Sequence, residues 1–359
     1  HLPDLDGHRL GHRRQHQRFQ RLGSGRQGHG LTIGKALGSL YGPDAEKSFN
    51  DTWQQHIGFF VDYTQADAKN DAAGKQQAMD NLNNVYTPKF VDFVAGATGL
   101  PKEALTAATK QHIVTLSKVI DDQAAKNYTA ELPDLRLAAD HMQMLADTLA
   151  PAIVQKNADK VPGNPMTQPV TLRKTLDNLL EQHVFLTGLA TDAAIEGNVE
   201  LFNSAAAADK QNGLDIGTAL GSLYGAGAEK SFNDTWQQHI GFFVAYTQAD
   251  AKNDAAGKQT ALDNLNTVYT PKFVDFISGA TDLPKDAITA LTKQHTTTLT
   301  KAIDDQAAKN YTAEAPDFVT AGMHMDMIAS PLAAAIVKKL PDKFGPTSAA
   351  VGSSPNASY

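Results

Sequence analysis

The sequence predicts an all-α protein: two tandem duplicated helical-bundle domains, each of up to six helices around a four-helix core. Three observations carry that prediction. Apolar residues recur at spacings of three and four, with no strand-like alternation. The chain repeats itself at a single long offset. The composition is that of a soluble globular chain, 42% hydrophobic and 20% charged over 359 residues, enough for two domains with cores of their own.

The repeat is direct. "IGKALGSLYG" (33–42) returns as "IGTALGSLYG" (216–225), an offset of 183. The offset holds without a gap through "SFNDTWQQHIGFF", "YTPKFVDF" and "DDQAAKNYTAE". Between 33–131 and 216–314, 82 of 99 positions are identical. Such a period means a duplicated domain and not a short-unit solenoid. The predicted boundaries are repeat 1 over 31–156, a linker over 157–170 rich in proline, repeat 2 over 171–340, and a flexible Pro/Gly/Ser-rich tail over 341–359.

The complete copy is repeat 2. Its first helix carries Leu172, Leu176, Leu179, His183, Leu186 and Ala190 on one stripe, and Gly197-Asn198 breaks it. The second runs from Val199 to Tyr224 and is closed by Gly225. The third, over 227–252, aligns Phe232, Trp236, His239, Phe243 and Tyr246. The fourth, over 256–280, is expected to be interrupted at Thr270-Pro271. Pro284 opens the fifth, with Ile288, Leu291, His295, Leu299 and Ala302 facing in. The sixth is expected from Pro316 to Leu340.

Residues 1–30 break the pattern. They hold five of the twelve histidines and six arginines against Asp4 and Asp6, so they carry +4 while residues 31–359 carry −11. An acidic body disfavours nucleic acid as a partner. At the offset of 183 these residues face 184–213 yet share almost nothing with them. Read one nucleotide later, however, their codons can spell Phe-Leu-Thr, Ala-Thr-Asp, Ala-Ile, Gly-Asn, Phe-Asn and Asp-Lys in register with the second copy. Residues 1–30 are therefore expected to be a frameshifted reading of first-repeat helices. The rival reading is a basic arm for acidic partners or metal.

With no cysteine, disulfides, thiolate metal sites and thiol catalysis are excluded. No apolar run has the ~20 residues of a transmembrane helix. Outside residues 1–30 seven histidines remain: His56, His112, His141, His183, His239, His295 and His324. Three pairs are equivalent at the offset of 183, and the partner of His183 would fall one position before residue 1. Each complete copy thus has four histidines on four different helices, each near mid-helix on an apolar stripe. Bundle cores build metal and cofactor sites this way, and neutral imidazole suits zinc, copper, nickel or iron. Met144 and Met327 follow His141 and His324 at i+3, and thioether beside imidazole favours copper, or a haem iron. These nine side chains are the candidate ligands.

Acidic residues at i−3 or i±4 from the repeat 2 histidines are missing, which argues against di-iron oxygen chemistry. There is no Gly-x-Ser-x-Gly, phosphate-binding glycine loop or His-Glu-x-x-His. A non-enzymatic metal- or haem-binding protein is the reading this favours. The alternative is a cell-surface structural or assembly protein, forming a layer, filament or partner complex, with histidines that only pack the core; a pH-sensitive cluster is a third.

The pattern "LRKTLDNLLEQH … ALGSLYG … FxxxWxxHIGFF … H … HM" resembles a group of bacterial secreted tandem helical-repeat proteins of unestablished function, over about 31–340. Some carry the label "copper amine oxidase". The resemblance implies an extracytoplasmic, secreted location. The label fails on chemistry, because the quinone of that enzyme forms from Tyr in Asn-Tyr-Asp/Glu. This chain has Asn127-Tyr128-Thr129 and Asn310-Tyr311-Thr312.

Overall fold

The computed structural model describes residues 30–344. They are mostly helical, with no strand among the described residues. The chain divides into two compact units, His1–Asn164 and Pro165–Tyr359. The reading of residues 1–30 as frameshifted helices, or as a basic arm, lies outside the described residues but for residue 30. So does the predicted tail beyond 344.

Unit 1 contains α1 (30–41), α2 (Pro43–Ala68), α3 (Ala72–Asn81), a π turn (Leu82–Tyr86), α4 (Thr87–Thr98), α5 (Lys102–Ala124) and α6 (Tyr128–Lys156). Unit 2 contains α7 (Gln168–Glu196), α8 (Val199–Tyr224), α9 (Ala226–Ala251), α10 (Ala255–Asn264), a π turn (Leu265–Tyr269), α11 (Thr270–Thr281), α12 (Lys285–Ala307), α13 (Tyr311–Lys339) and α14 (Pro341–Phe344). From α2 to α6 every element has a counterpart 183 residues later. Contacts repeat too: Tyr63 donates to Asp121 Oδ1 at 2.8 Å, as Tyr246 does to Asp304.

The ends of these helices follow from local chemistry. Asn198 Oδ1 accepts from the Leu201 N–H at 3.1 Å, capping α8. Asp71 and Asp254 cap α3 and α10 through the Gly74 and Gly257 N–H groups, both at 2.9 Å. Gly197 closes α7 at φ 73°, the left-handed conformation that suits glycine.

Four boundaries differ from the sequence reading. The helix through Pro271 is not broken. A π turn just ahead of the proline widens the coil and relieves the clash of its ring with the preceding turn. Thr270 Oγ1 adds a bond to the Leu265 carbonyl at 2.8 Å. Helix α13 begins at Tyr311, five residues before Pro316, so this proline lies inside the helix, as Pro331 does, and tertiary packing overrides its local cost. Residues 168–170 of the expected linker already belong to α7, with Pro169 in its first turn. Residues 341–344 of the expected tail form α14 and bury Phe344.

Unit 2 has two apolar layers. One joins Leu176, Leu180 and Val184 of α7 to Ile216, Trp236, Val274, Ile288 and Met325. The other joins Phe243 and Tyr246 of α9 to Leu265, Tyr269, Leu299 and Ile303. Helices α8 and α9 approach closely because glycine stands at the contact. A Cβ on Gly213 would lie 2.5 Å from Trp236 Cδ1.

Candidate metal centre

Along α7, α9 and α12, the residues feeding the first layer give way to those feeding the second at His183, His239 and His295. Their side chains meet at this join, and all three are buried, at 0%, 1% and 7% exposure. One nitrogen from each lies within 4.8 Å of those of the other two, the only such group of three among the described residues. The ring of His183 is 5.4 Å from His239 and 6.0 Å from His295, centroid to centroid.

Hydrogen bonds fix which nitrogen is available on two of the rings. His183 Nδ1 lies 2.8 Å from Asp209 Oδ1. A carboxylate only accepts, so Nδ1 carries a proton, and Nε2 is the nitrogen left to face the other two rings. Thr187 Oγ1 donates to the other oxygen of Asp209 at 3.1 Å, and Asn212 Nδ2 donates to the Leu179 carbonyl at 3.0 Å, pinning α8 to α7 one turn further on. His239 Nδ1 donates to the Trp236 carbonyl at 2.5 Å, which leaves the lone pair on Nε2. Tyr269 stacks on that ring with centroids 4.7 Å apart. His183 Nε2 and His295 Nδ1 are buried and have no hydrogen-bond partner.

Electrostatics keep two of the rings neutral. Burial, reinforced by the His183 and His295 rings, holds His239 well below the ordinary imidazole range. Burial pushes His295 down to about 3, with His183 and His324 adding to the effect. Neutral imidazole is the form that ligates metal. A carboxylate behind a ligating histidine orients the ring and raises its basicity, and Asp209 stands in that place behind His183.

The other candidate ligands lie apart from this group. His324 is half-buried and sits against Gln294 Nε2 at 2.8 Å. Met327 and Met144 are 51% and 62% exposed. An i+3 step leaves a side chain about 60° around the helix from its reference, and that rotation carries both thioethers to solvent while Met325 enters the core. In unit 1, His56 keeps the bond to its Trp53 carbonyl, at 2.6 Å, and the stack on Tyr86, at 4.9 Å. His112 and His141 stack in parallel at 6.4 Å, and His141 Nε2 donates to the Ala108 carbonyl at 3.1 Å. Unit 1 thus has the counterparts of His239 and His295, while the position aligned with His183 precedes residue 1.

No family model, curated protein or solved structure matches this chain.

Sequence reasoning missed Asp209. Helical spacing shows only carboxylates on the same helix as a histidine, whereas Asp209 reaches His183 from α8, 26 residues on. A weak signal is present: a lone acid at the end of four alanines in "AAAADK".

No helix of the described residues is long and apolar enough to cross a membrane.

Proposed function

We propose that unit 2 binds one transition-metal ion through His183 Nε2, His239 Nε2 and His295 Nδ1. The observation that carries this reading is the pair of buried imidazole nitrogens without partners inside a group of three. A buried polar atom left unpaired costs about 1–3 kcal/mol. A bound cation would turn that cost into ligation. Nitrogens on one ion at Zn–N of about 2.0–2.1 Å stand about 3.3–3.5 Å apart. The rings would therefore close by roughly an ångström on loading, a rotamer-scale adjustment.

Three neutral imidazoles suit zinc(II) or copper(II), and the Irving–Williams order puts copper(II) first. The case for copper(I) weakens with Met144 and Met327 standing in solvent. Haem fits poorly, because a macrocycle would have to part rings that also pack on Trp236, at 4.8 Å from His183 and 4.5 Å from His239. The burial of all three ligands supports a binding or structural role for the ion rather than turnover of a substrate. The extracytoplasmic setting implied by the sequence resemblance would suit such metal holding.

Metal content and calorimetric titration with copper(II) and zinc(II) test the reading. One equivalent is expected, lost in His183→Ala and in His295→Ala. A folded protein that takes up neither ion would overturn it and leave the structural or assembly reading, with packing histidines, in its place.

A further inference from the structure

The three rings of the unit 2 group are not equally deep. His295 is the most exposed of them, so it stands nearest the surface. A fourth imidazole lies against its turn of α12. His324 of α13 is half-buried and is held by the residues that flank His295. Gln294 Nε2, one residue before, lies 2.8 Å from His324 Nε2, and Thr298 Oγ1, three residues after, lies 3.4 Å from His324 Nδ1. The pairing belongs to the repeat, since the counterparts His112 and His141 stack in parallel with centroids 6.4 Å apart.

Hydrogen bonds set the direction in which His324 offers its lone pair. The Thr298 hydroxyl donates to the Gln294 and His295 carbonyls, both at 3.0 Å. Its oxygen is left to accept, so His324 Nδ1 carries the proton on this part-buried side. His324 Nε2 then holds the lone pair on the exposed side, where the Gln294 amide donates to it. An ion coming from solvent meets an imidazole nitrogen covered by one exchangeable hydrogen bond. Such a ligand answers a physical difficulty of a closed site. An ion stripped of water would carry its charge unpaired into an apolar interior, at a cost far above that of any hydrogen bond. Exchange of one ligand at a time removes that cost, because each water leaves as an imidazole takes its place.

We propose that His324 is the entry ligand of the unit 2 metal site. It takes the incoming ion at Nε2, passes it to His295, and is not a ligand once the ion rests on His183, His239 and His295. This role rests on the three-histidine reading of unit 2. An entry ligand lowers the barrier between solvent and site, so it speeds arrival and release by the same factor and leaves the affinity unchanged. That signature separates it from a resident ligand, whose loss weakens binding, and from a packing residue, whose loss lowers stability.

The test mixes copper(II) with the full chain carrying Trp53→Phe and follows quenching of Trp236 by stopped flow. Trp236 packs against His183 and His239, at 4.8 and 4.5 Å between centroids, so it reports the ion reaching the site. His324→Ala and His324→Gln are compared with the parent. In both, association should slow about tenfold or more, as expected when one stabilising contact leaves a barrier. Release to an excess of chelator should slow by the same factor. The stoichiometry of one, the dissociation constant by calorimetry and the urea midpoint should stay at their parent values. If His324→Ala does not fold, His324→Gln, which keeps a polar side chain at the position, decides. Association at the parent rate overturns the entry role and leaves the three-histidine site standing. A weakened affinity also overturns it, because His324 would then be a resident ligand. A folded parent that takes up no copper(II) overturns the metal reading of unit 2 itself, and the entry role with it.

Discussion

Replacing His295 with leucine should change how the stability of unit 2 depends on pH, by an amount that burial fixes. His295 is pushed down to about 3 in the folded chain, against about 6.5 when unfolded. Between those values the unfolded chain binds a proton that the folded chain refuses. Stability therefore falls as pH drops through this window, by about 1.4 kcal/mol per pH unit for one such group. In the His295→Leu variant this loss is absent. From about pH 7 to about pH 4.5 the variant should gain about 2.5 kcal/mol on the parent. Raised carboxylates such as Asp177, pushed up to about 6 by burial and by Asp326, push the slope the other way. They are common to both proteins and cancel in the difference. Each unit has one tryptophan, so Trp53→Phe leaves Trp236 to report unit 2. Urea unfolding followed by its fluorescence, with a chelator present, measures the gap at each pH. At neutral pH the two proteins should differ little, because leucine removes an unpaired buried nitrogen as well as a ring. Curves that stay parallel from neutral to acid pH would refute the claim that His295 is held neutral.

Three further outcomes are expected. Asp209→Asn should keep unit 2 folded and weaken metal binding about 10- to 100-fold, read by calorimetry, because the ring of His183 loses its anionic support. Gly213→Ala should destabilise unit 2 by about 1–3 kcal/mol in urea, since the new methyl meets Trp236 in the core at 2.5 Å. Met144→Ala and Met327→Ala should leave metal stoichiometry and affinity unchanged and shift stability by no more than about 0.5 kcal/mol; a drop in copper affinity in either would return the thioethers to the site.

The helices were legible where the apolar period was strong. Phe232, Trp236, His239, Phe243 and Tyr246 are all buried, and Gly197 and Gly225 end their helices as their backbone freedom suggests. Legibility failed where tertiary packing overrides a local rule. Pro271 reads as a break, yet one widened turn accommodates it. Pro316 reads as a start, yet the helix begins a turn earlier. At the site, one histidine per helix was visible, and three of the four do meet. The fourth was not separable from them by spacing alone, because a stripe gives the face of a helix but not its depth or its tilt against a partner. Asp209 was beyond reach for a related reason: a contact between α7 and α8 leaves no period in either.

The π turn at Leu265–Tyr269 has a wider meaning than tolerance of a proline. One surplus residue in a helical turn advances everything after it by about 100°. Before it, Ala261 and Leu265 feed the Phe243–Leu299 layer; after it, Val274 and Ile277 feed the Trp236–Met325 layer. A single rod thereby serves two cores that an unbroken α-helix could not face at once. The three imidazoles occupy the seam between those cores. An ion gripping one ring from each of α7, α9 and α12 would act as a rivet, obliging two separately packed layers to melt as one.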